Sequence, residues 1–354
     1  MNKRYWSDTL KKLIPYTPGE QPKDIKIIKL NTNENPYPPS PKVIEAIKAC
    51  TNSELRLYPD SNCESIRKVI ADYKGIKASQ VFVGNGSDEI LAFAFLAFLG
   101  HGKKILFPDI TYSFYSVYAD IFNLDYNCVP LNDDFSIPVD MFLCVNGGIV
   151  LCNPNAPTGK FLPLKDIRRI LDYNSENVVI IDEAYIDFGG ESAVKLLQEY
   201  PNLLVVQTLS KSRSLAGLRV GFAMGHGDLI LGLETVKNSI NSYTIDRLAL
   251  YGSCAAINDK EYFEVTRKKV INTRDWLTLE LIKLGFNVID SKANFLLVNH
   301  PSKDAEDIYD YLKTHGILVR HFKKPRIDNY LRISIGTDDE MQVFLSTITE
   351  FSRY

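Results

Sequence analysis

The sequence predicts an α/β protein: a large domain on a mostly parallel sheet of seven strands flanked by helices, with a smaller α+β domain beside it. Three observations predict it. Apolar runs of strand length recur at 81–85, 104–107, 124–131, 148–152, 178–182, 203–208 and 219–224. Longer helix-compatible segments alternate with them, as they must where helices return the chain between parallel strands. The side chains with chemistry to offer follow the runs, at the carboxyl ends where open α/β sheets bind ligands. The large domain is therefore placed at 30–246. The smaller one takes 247–354, with residues 1–29 as an arm packed nearby. It has a charged helix near 260–284 and strands at Phe295-Leu296-Leu297-Val298, 316–320 and 331–336.

Taken in chain order, the first strand, Val81-Phe82-Val83, runs through Gly84-Asn85-Gly86-Ser87-Asp88-Glu89 into the apolar stretch Ile90 to Leu99. That reads as strand, glycine turn and helix start. Glycine permits close backbone approach at Gly86, and the free amides of Ser87 and Asp88 would bind an anion with the help of the helix dipole. The spacing matches neither G-x-G-x-x-G nor the Walker pattern, so a nucleotide site lacks its fingerprint.

Strand 148–152 delivers Asn153-Pro154-Asn155-Ala156-Pro157-Thr158-Gly159, a rigid turn that would hold Asn153 still with its amide ready to donate to a ligand oxygen. Strand 178–182 delivers Asp182 at its end, placed to meet a ring nitrogen, with Tyr185 three residues on to reach a phenolic oxygen. Strand 203–208 ends in Thr208-Leu209-Ser210-Lys211-Ser212, with Arg219 eight residues after the lysine. An amine, two hydroxyls and a guanidinium are what pyridoxal phosphate needs: a Schiff-base partner, and neutral and cationic donors for a phosphate dianion. Taken singly, each element has an ordinary alternative: an exposed lysine after a buried strand, a helix N-cap or metal ligand for Asp182, a strand-ending turn for Asn153. Their succession along one chain favours the cofactor.

Composition excludes other classes. A chain of 354 residues, 45% hydrophobic and 24% charged with a net charge of -2, carries no basic run suited to nucleic acid. No stretch approaches the roughly 20 apolar residues of a membrane span, and Met-Asn-Lys-Arg-Tyr-Trp lacks an apolar signal core, so a cytoplasmic location is expected. The six cysteines show no C-x-x-C pair and read as reduced, mostly buried thiols. The five histidines are scattered, and no metal site is expected.

The order of these elements resembles the fold type I pyridoxal-phosphate enzymes and, in detail, the histidinol-phosphate aminotransferases. The resemblance covers nearly the whole chain, from Tyr16-Thr-Pro-Gly19 and Leu30-Asn-Thr-Asn-Glu-Asn-Pro36 through Arg56-Leu-Tyr-Pro-Asp60 to Leu331-Arg-Ile-Ser-Ile-Gly-Thr337. One departure is Arg213-Ser214, where that family more often carries an aromatic residue after a small one. The resemblance implies that Arg332 meets the substrate's distal anion with Arg320 as its helper, that Tyr112 stacks on the cofactor ring, and that Tyr16 and Asn153 complete the substrate side. It also implies a homodimer with shared sites, Tyr58 reaching the cofactor phosphate of the neighbouring subunit.

The implied reaction is transamination between L-histidinol phosphate and 2-oxoglutarate in histidine biosynthesis, with Lys211 as proton carrier. A phosphothreonine decarboxylase and a broader aromatic amino-acid aminotransferase share the same frame. A non-enzymatic cofactor-sensing module would need a DNA-binding domain, for which the roughly 30 residues before the large domain are too few.

Overall fold

The computed structural model describes residues 3–17, 19–21 and 27–352. After strand β1 (Ile28–Lys29) come the seven strands of the large sheet: β2 (Val81–Gly84), β3 (Ile105–Pro108), β4 (Tyr126–Val129), β5 (Ile149–Cys152), β6 (Val179–Asp182), β7 (Leu203–Thr208) and β8 (Gly221–Gly225). Their spatial order is β2-β8-β7-β6-β5-β3-β4. All pairs are parallel except those of β8, which runs antiparallel to both β2 and β7. The succession reverses at β3, which has β4 on one side and β5 on the other. Such a reversal opens a crevice at the carboxyl ends of the strands.

The central strands are apolar throughout because both faces of the sheet are covered. On β7, Leu204 and Val206 join one core with Ile90, Phe95 and Tyr115 from the helices Gly86–Phe98 and Phe114–Ile121. Leu203 and Val205 join the other, with Ile70, Ile170 and Ile257 from the helices Glu64–Lys74, Leu164–Tyr173 and Arg247–Asn258. The period-two alternation of a strand thus splits one sequence run between two cores.

The second sheet is antiparallel, ordered β12-β13-β10-β9, from β9 (Asn287–Val288), β10 (Phe295–Asn299), β12 (Arg320–His321) and β13 (Leu331–Ser334). The long helix Lys260–Lys283 precedes it, as the charged segment there predicts. The strand expected at 316–320 is divided between two sheets. Its first half, β11 (Ile317–Leu318), pairs in parallel with β1, while Arg320 and His321 pair with β13. The cause is the amino-terminal segment, which offers Ile28 and Lys29 as a partner that local sequence around 317 does not reveal.

Phe295 ties the two sheets together. It is fully buried, its ring stands edge-on to Tyr185 at 5.0 Å between centroids, and the guanidinium of Arg332 lies 5.4 Å from its centre. The expected outcome of Phe295→Ala is a loss of about 3–5 kcal/mol in denaturant-induced unfolding, the cost of emptying a buried aromatic site. An unchanged midpoint would show that this contact does not hold the sheets together.

Candidate active site

A cavity of about 570 Å³ opens at the carboxyl ends of β3, β5, β6 and β7. Lys211 enters it from the turn after β7. Thr208 and Ser210 brace that turn, the Thr208 hydroxyl donating to Ser210 Oγ at 3.0 Å and accepting the Ser210 N–H at 3.1 Å. The Asn35 side-chain amide holds the Lys211 carbonyl at 3.0 Å, and Lys211 Nζ donates to the Thr32 carbonyl at 3.2 Å. Burial, and then the charge of Arg332, pull the Lys211 amine down to about 8, with Glu34 and Asp88 opposing. A lysine so placed is a usable nucleophile and base near neutral pH.

Asp182 ends β6 and faces the same space. Its Oδ2 accepts the Tyr115 hydroxyl at 2.9 Å and its Oδ1 accepts the Ala184 N–H at 3.2 Å. Burial raises its pKa to about 6 against those two bonds. A cationic ring nitrogen beside it would bring that value back down and further favour the ionised form. Tyr185 lines the cavity with its ring 5.7 Å from Lys211 Nζ, and burial raises its hydroxyl well above the ordinary value.

The turn expected to bind an anion lies where β2 runs into the helix Gly86–Phe98. Gly86 has φ 78° and a Cβ there would stand 2.5 Å from Arg219 Nη2, so only glycine fits beneath that guanidinium. Gly221 is equally constrained, since its Cβ would meet Ser87 N at 2.5 Å. Arg219 Nη2 donates to Asp88 Oδ2 at 3.1 Å, and the Tyr112 hydroxyl donates to Asp88 Oδ1 at 2.7 Å. The Asp88 carboxylate is thereby occupied, which leaves the backbone amides of the helix start to face an anion. Ser87, Tyr112, Thr208, Ser210 and Arg219 all line the cavity.

Two guanidinium groups close the opposite wall. Arg320 and Arg332 are direct partners in the β12–β13 ladder, so their side chains share one face. Like charges set opposite one another repel. Neither pairs with a carboxylate among the described residues. Arg332 Nη2 donates to the Asn31 carbonyl at 2.9 Å, while its buried Nε has no partner. Burial, with Arg320 adding to it, lowers the Arg332 pKa. An anion placed between them would relieve that repulsion. Tyr16 lies at the mouth, its ring 4.5 Å from that of Phe114.

Two expectations need correction. Asn153 does not line the cavity. It is fully buried, its amide donates to the Leu162 carbonyl at 2.9 Å and its Oδ1 accepts the Leu162 N–H at 2.8 Å. This side chain closes the turn on itself behind the cavity wall, away from where the ligand-oxygen role and the substrate role would place it. Ala156 and Pro157 form the wall there instead. The cysteines are less buried than expected: Cys50, Cys63 and Cys152 are buried, Cys254 is intermediate, and Cys128 and Cys144 are exposed. Tyr58 stands apart from this chain's cavity, 80% exposed and stacked on Tyr243 at 4.6 Å. At the departure noted above, the Arg213 guanidinium lies 3.5 Å over the Phe263 ring and donates to the Ala256 carbonyl at 2.7 Å, which accounts for its burial.

Residue types alone did not mark Tyr115 as the donor to Asp182, although its place one helical turn beyond Tyr112 aims it at the same strand ends. Nor did they mark Thr32 and Asn33, whose neighbours are about 180, 150 and 300 residues away in sequence.

A desolvated amine, a buried carboxylate, an anion cup and an unpaired arginine couple define a protein that works on amines through a phosphorylated carbonyl cofactor. The chain belongs to the class I and II aminotransferase family, whose model matches residues 25–348. It is 60% identical over 347 residues to the histidinol-phosphate aminotransferase of Clostridium acetobutylicum, covering 98% of this chain and 99% of that one. It is 56% identical to the enzyme of the same name from Clostridium beijerinckii, covering 98% and 96%. Among solved structures, the histidinol-phosphate aminotransferase of Sinorhizobium meliloti in complex with pyridoxal-5'-phosphate shares the fold, with a TM-score of 0.88, 21% identity and coverage of 99% and 98%.

Because the Lys211 ammonium is penalised by burial, its neutral form prevails above about pH 8. Labelling of Lys211 in cofactor-free protein by an amine-directed reagent, read by peptide mass spectrometry, should rise about tenfold per unit below that pH and level off above it. Ordinary lysines, with values near 10.4, keep rising. A Lys211 rate still climbing between pH 9 and 10 would contradict the assignment.

Proposed function

We propose that this chain is a pyridoxal-phosphate-dependent aminotransferase that converts L-histidinol phosphate and 2-oxoglutarate to imidazole acetol phosphate and glutamate in histidine biosynthesis. The observation that carries the substrate is the Arg320–Arg332 pair, two cations set opposite one another in the cavity that holds Lys211, neither of them ion-paired to a carboxylate among the described residues. A phosphate monoester gives two guanidinium forks the charge and oxygens they need. The relatives at 60% and 56% identity support the same substrate by name.

The residues fit the cofactor. The amides of Ser87 and Asp88, the hydroxyls of Thr208 and Ser210 and the Arg219 guanidinium would hold its phosphate, Asp182 its ring nitrogen, Tyr185 its ring oxygen, and Tyr112 would cover its flat face. When bound, pyridoxal phosphate supplies an electron-withdrawing ring conjugated to the substrate nitrogen. The ionised Asp182 carboxylate would favour the protonated form of that ring's nitrogen. Lys211, which burial makes far readier to give up its proton than an ordinary lysine, would take the proton from the substrate's alpha carbon as base and return it as acid. Arg332 and Arg320 hold the distal phosphate and so fix which bond faces Lys211. The same arginines must then receive the distal carboxylate of 2-oxoglutarate.

The reading divides the chain into a cofactor-binding domain, 30–246, and a substrate-gripping part of 1–29 with 247–354, and it places the enzyme in the cytoplasm. It also calls for a homodimer. Leu55, Leu57, Tyr58 and Tyr243 form an exposed apolar group, each 46–80% accessible, of the kind a second copy would cover.

Purified protein given histidinol phosphate and 2-oxoglutarate should form glutamate, and phosphothreonine alone should release no carbon dioxide. The reverse outcome would make it a decarboxylase. Arg332→Ala should lower kcat/KM roughly ten- to a hundredfold in both half-reactions, whereas Arg320→Ala should impair the phosphate substrate more. Equal turnover of histidinol and its phosphate would point to the broader aromatic aminotransferase. For the shared site, mixing inactive Lys211→Ala subunits with impaired Tyr58→Ala subunits should regain activity above both parents, since one site of each mixed dimer is intact. Strict averaging would place Tyr58 outside the partner's site.

A further inference from the structure

Asn33, Ser334 and Tyr185 form a buried chain of hydrogen bonds whose direction is set at one end by the backbone. The Asn33 N–H donates to Ser334 Oγ at 2.9 Å. A backbone amide can only donate, so Ser334 accepts there and its own proton must go elsewhere. It goes to Asn33 Oδ1 at 3.0 Å. That bond fixes the amide, with oxygen toward Ser334 and Nδ2 toward the Tyr185 hydroxyl, to which it donates at 3.1 Å. Tyr185 Oη is thus an acceptor on its Asn33 side. The three residues are 1%, 3% and 8% exposed, which leaves little room for water to reverse the order. The Asn33 carbonyl is itself held by the Asn294 amide at 3.0 Å, and its φ of 55° is one that Asn and Asp tolerate among non-glycine residues.

We propose that Asn33 and Ser334 are positioning residues that turn the proton of Tyr185 into the cavity, so that the tyrosine meets a bound ligand as a donor only. The proposal rests on the cofactor reading above, because the acceptor it implies is an anionic ring oxygen. Neither residue touches the reacting atoms. Their effect is on which way one proton points.

The test reverses the chain. In Asn33→Asp the side chain keeps its size and tolerance for the left-handed backbone, but a carboxylate can only accept, so Tyr185 must turn its proton away from the cavity. Donation to an oxyanion favours the deprotonated chromophore. Its loss should raise the midpoint of the visible-absorbance pH titration of the cofactor-loaded enzyme by about one unit or more. Tyr185→Phe should shift it as far, and the double variant no further, since both remove one interaction. Ser334→Ala, which frees the amide to flip, should give a smaller shift in the same sense.

A wild-type midpoint in Asn33→Asp, or additive shifts in the double variant, would overturn the proposal. The cofactor-free protein gives a separate readout: the Tyr185 Cζ resonance of tyrosine-labelled protein, assigned through Tyr185→Phe, should move in Asn33→Asp and in Ser334→Ala. If it stays fixed in both, Asn33 does not orient the hydroxyl. If wild-type protein develops no visible band with pyridoxal phosphate, the cofactor reading fails instead, and the resonance alone decides the relay.

Discussion

Positive charge gathered in a desolvated cavity is the constraint on which the rest of the site depends. Lys211, Arg320 and Arg332 meet at the strand ends with no carboxylate ion-paired to any of them among the described residues. Taking charges out of water is costly, and the molecule limits that cost in different ways. Lys211 yields its proton readily. Arg332, which cannot, leans on the Asn31 carbonyl and on the faces of Phe295 and Phe322. What remains is a site whose own electrostatics favour anions, and such a site selects phosphorylated and carboxylated ligands before any finer contact is made.

The acidic groups are arranged so as not to cancel this field. Asp88 is tied to Arg219 and Tyr112, which keeps its carboxylate beside the cup. Asp182 is held by Tyr115, and burial raises its pKa to about 6, so it parts with its proton less readily than an ordinary aspartate until a cation reaches it. Glu183, its neighbour, points the other way and is consumed by Ser192, Ala193 and Gln207. Adjacent carboxylates at the end of one strand therefore serve opposite sides, one the cavity and one the packing of the strand after it.

Much of this was legible in the sequence, for identifiable reasons. Six strands of the large sheet are buried throughout and write themselves as apolar runs, the edge strand β4, with only Val129 buried, being readable from the run at 124–131; Lys211 stands just beyond β7, Asp182 at the end of β6 and Arg219 just before β8. The turn after β2 was readable because Gly86 answers a backbone requirement. The misreadings share one cause. Whether the amide of Asn153 looks outward or folds back on Leu162 depends on the path of the chain nine residues later. The division of 316–320 depends on a strand near the amino terminus, and the directionality at Tyr185 on a serine 301 residues from Asn33. Local pattern reports burial and turn chemistry; it does not report which distant donor a polar side chain will find.

The pairing of β1 with β11 makes the earliest part of the chain wait for nearly the last. Asn31, Thr32 and Asn33 supply the partners of Arg332, Lys211 and Tyr185, yet the segment carrying them docks beside Ile317 and Leu318. At ribosomal speeds the 301 residues between Asn33 and Ser334 take roughly 15 to 60 s to appear. For the last 123 of those residues, roughly 6 to 25 s, the nascent chain carries the future nucleophile as an ordinary, hydrated lysine, protonated and poorly reactive toward the aldehydes of the cell. Desolvation arrives only when the ends of the molecule meet, so the amine becomes chemically competent at the moment when the walls that restrict its partners are also complete.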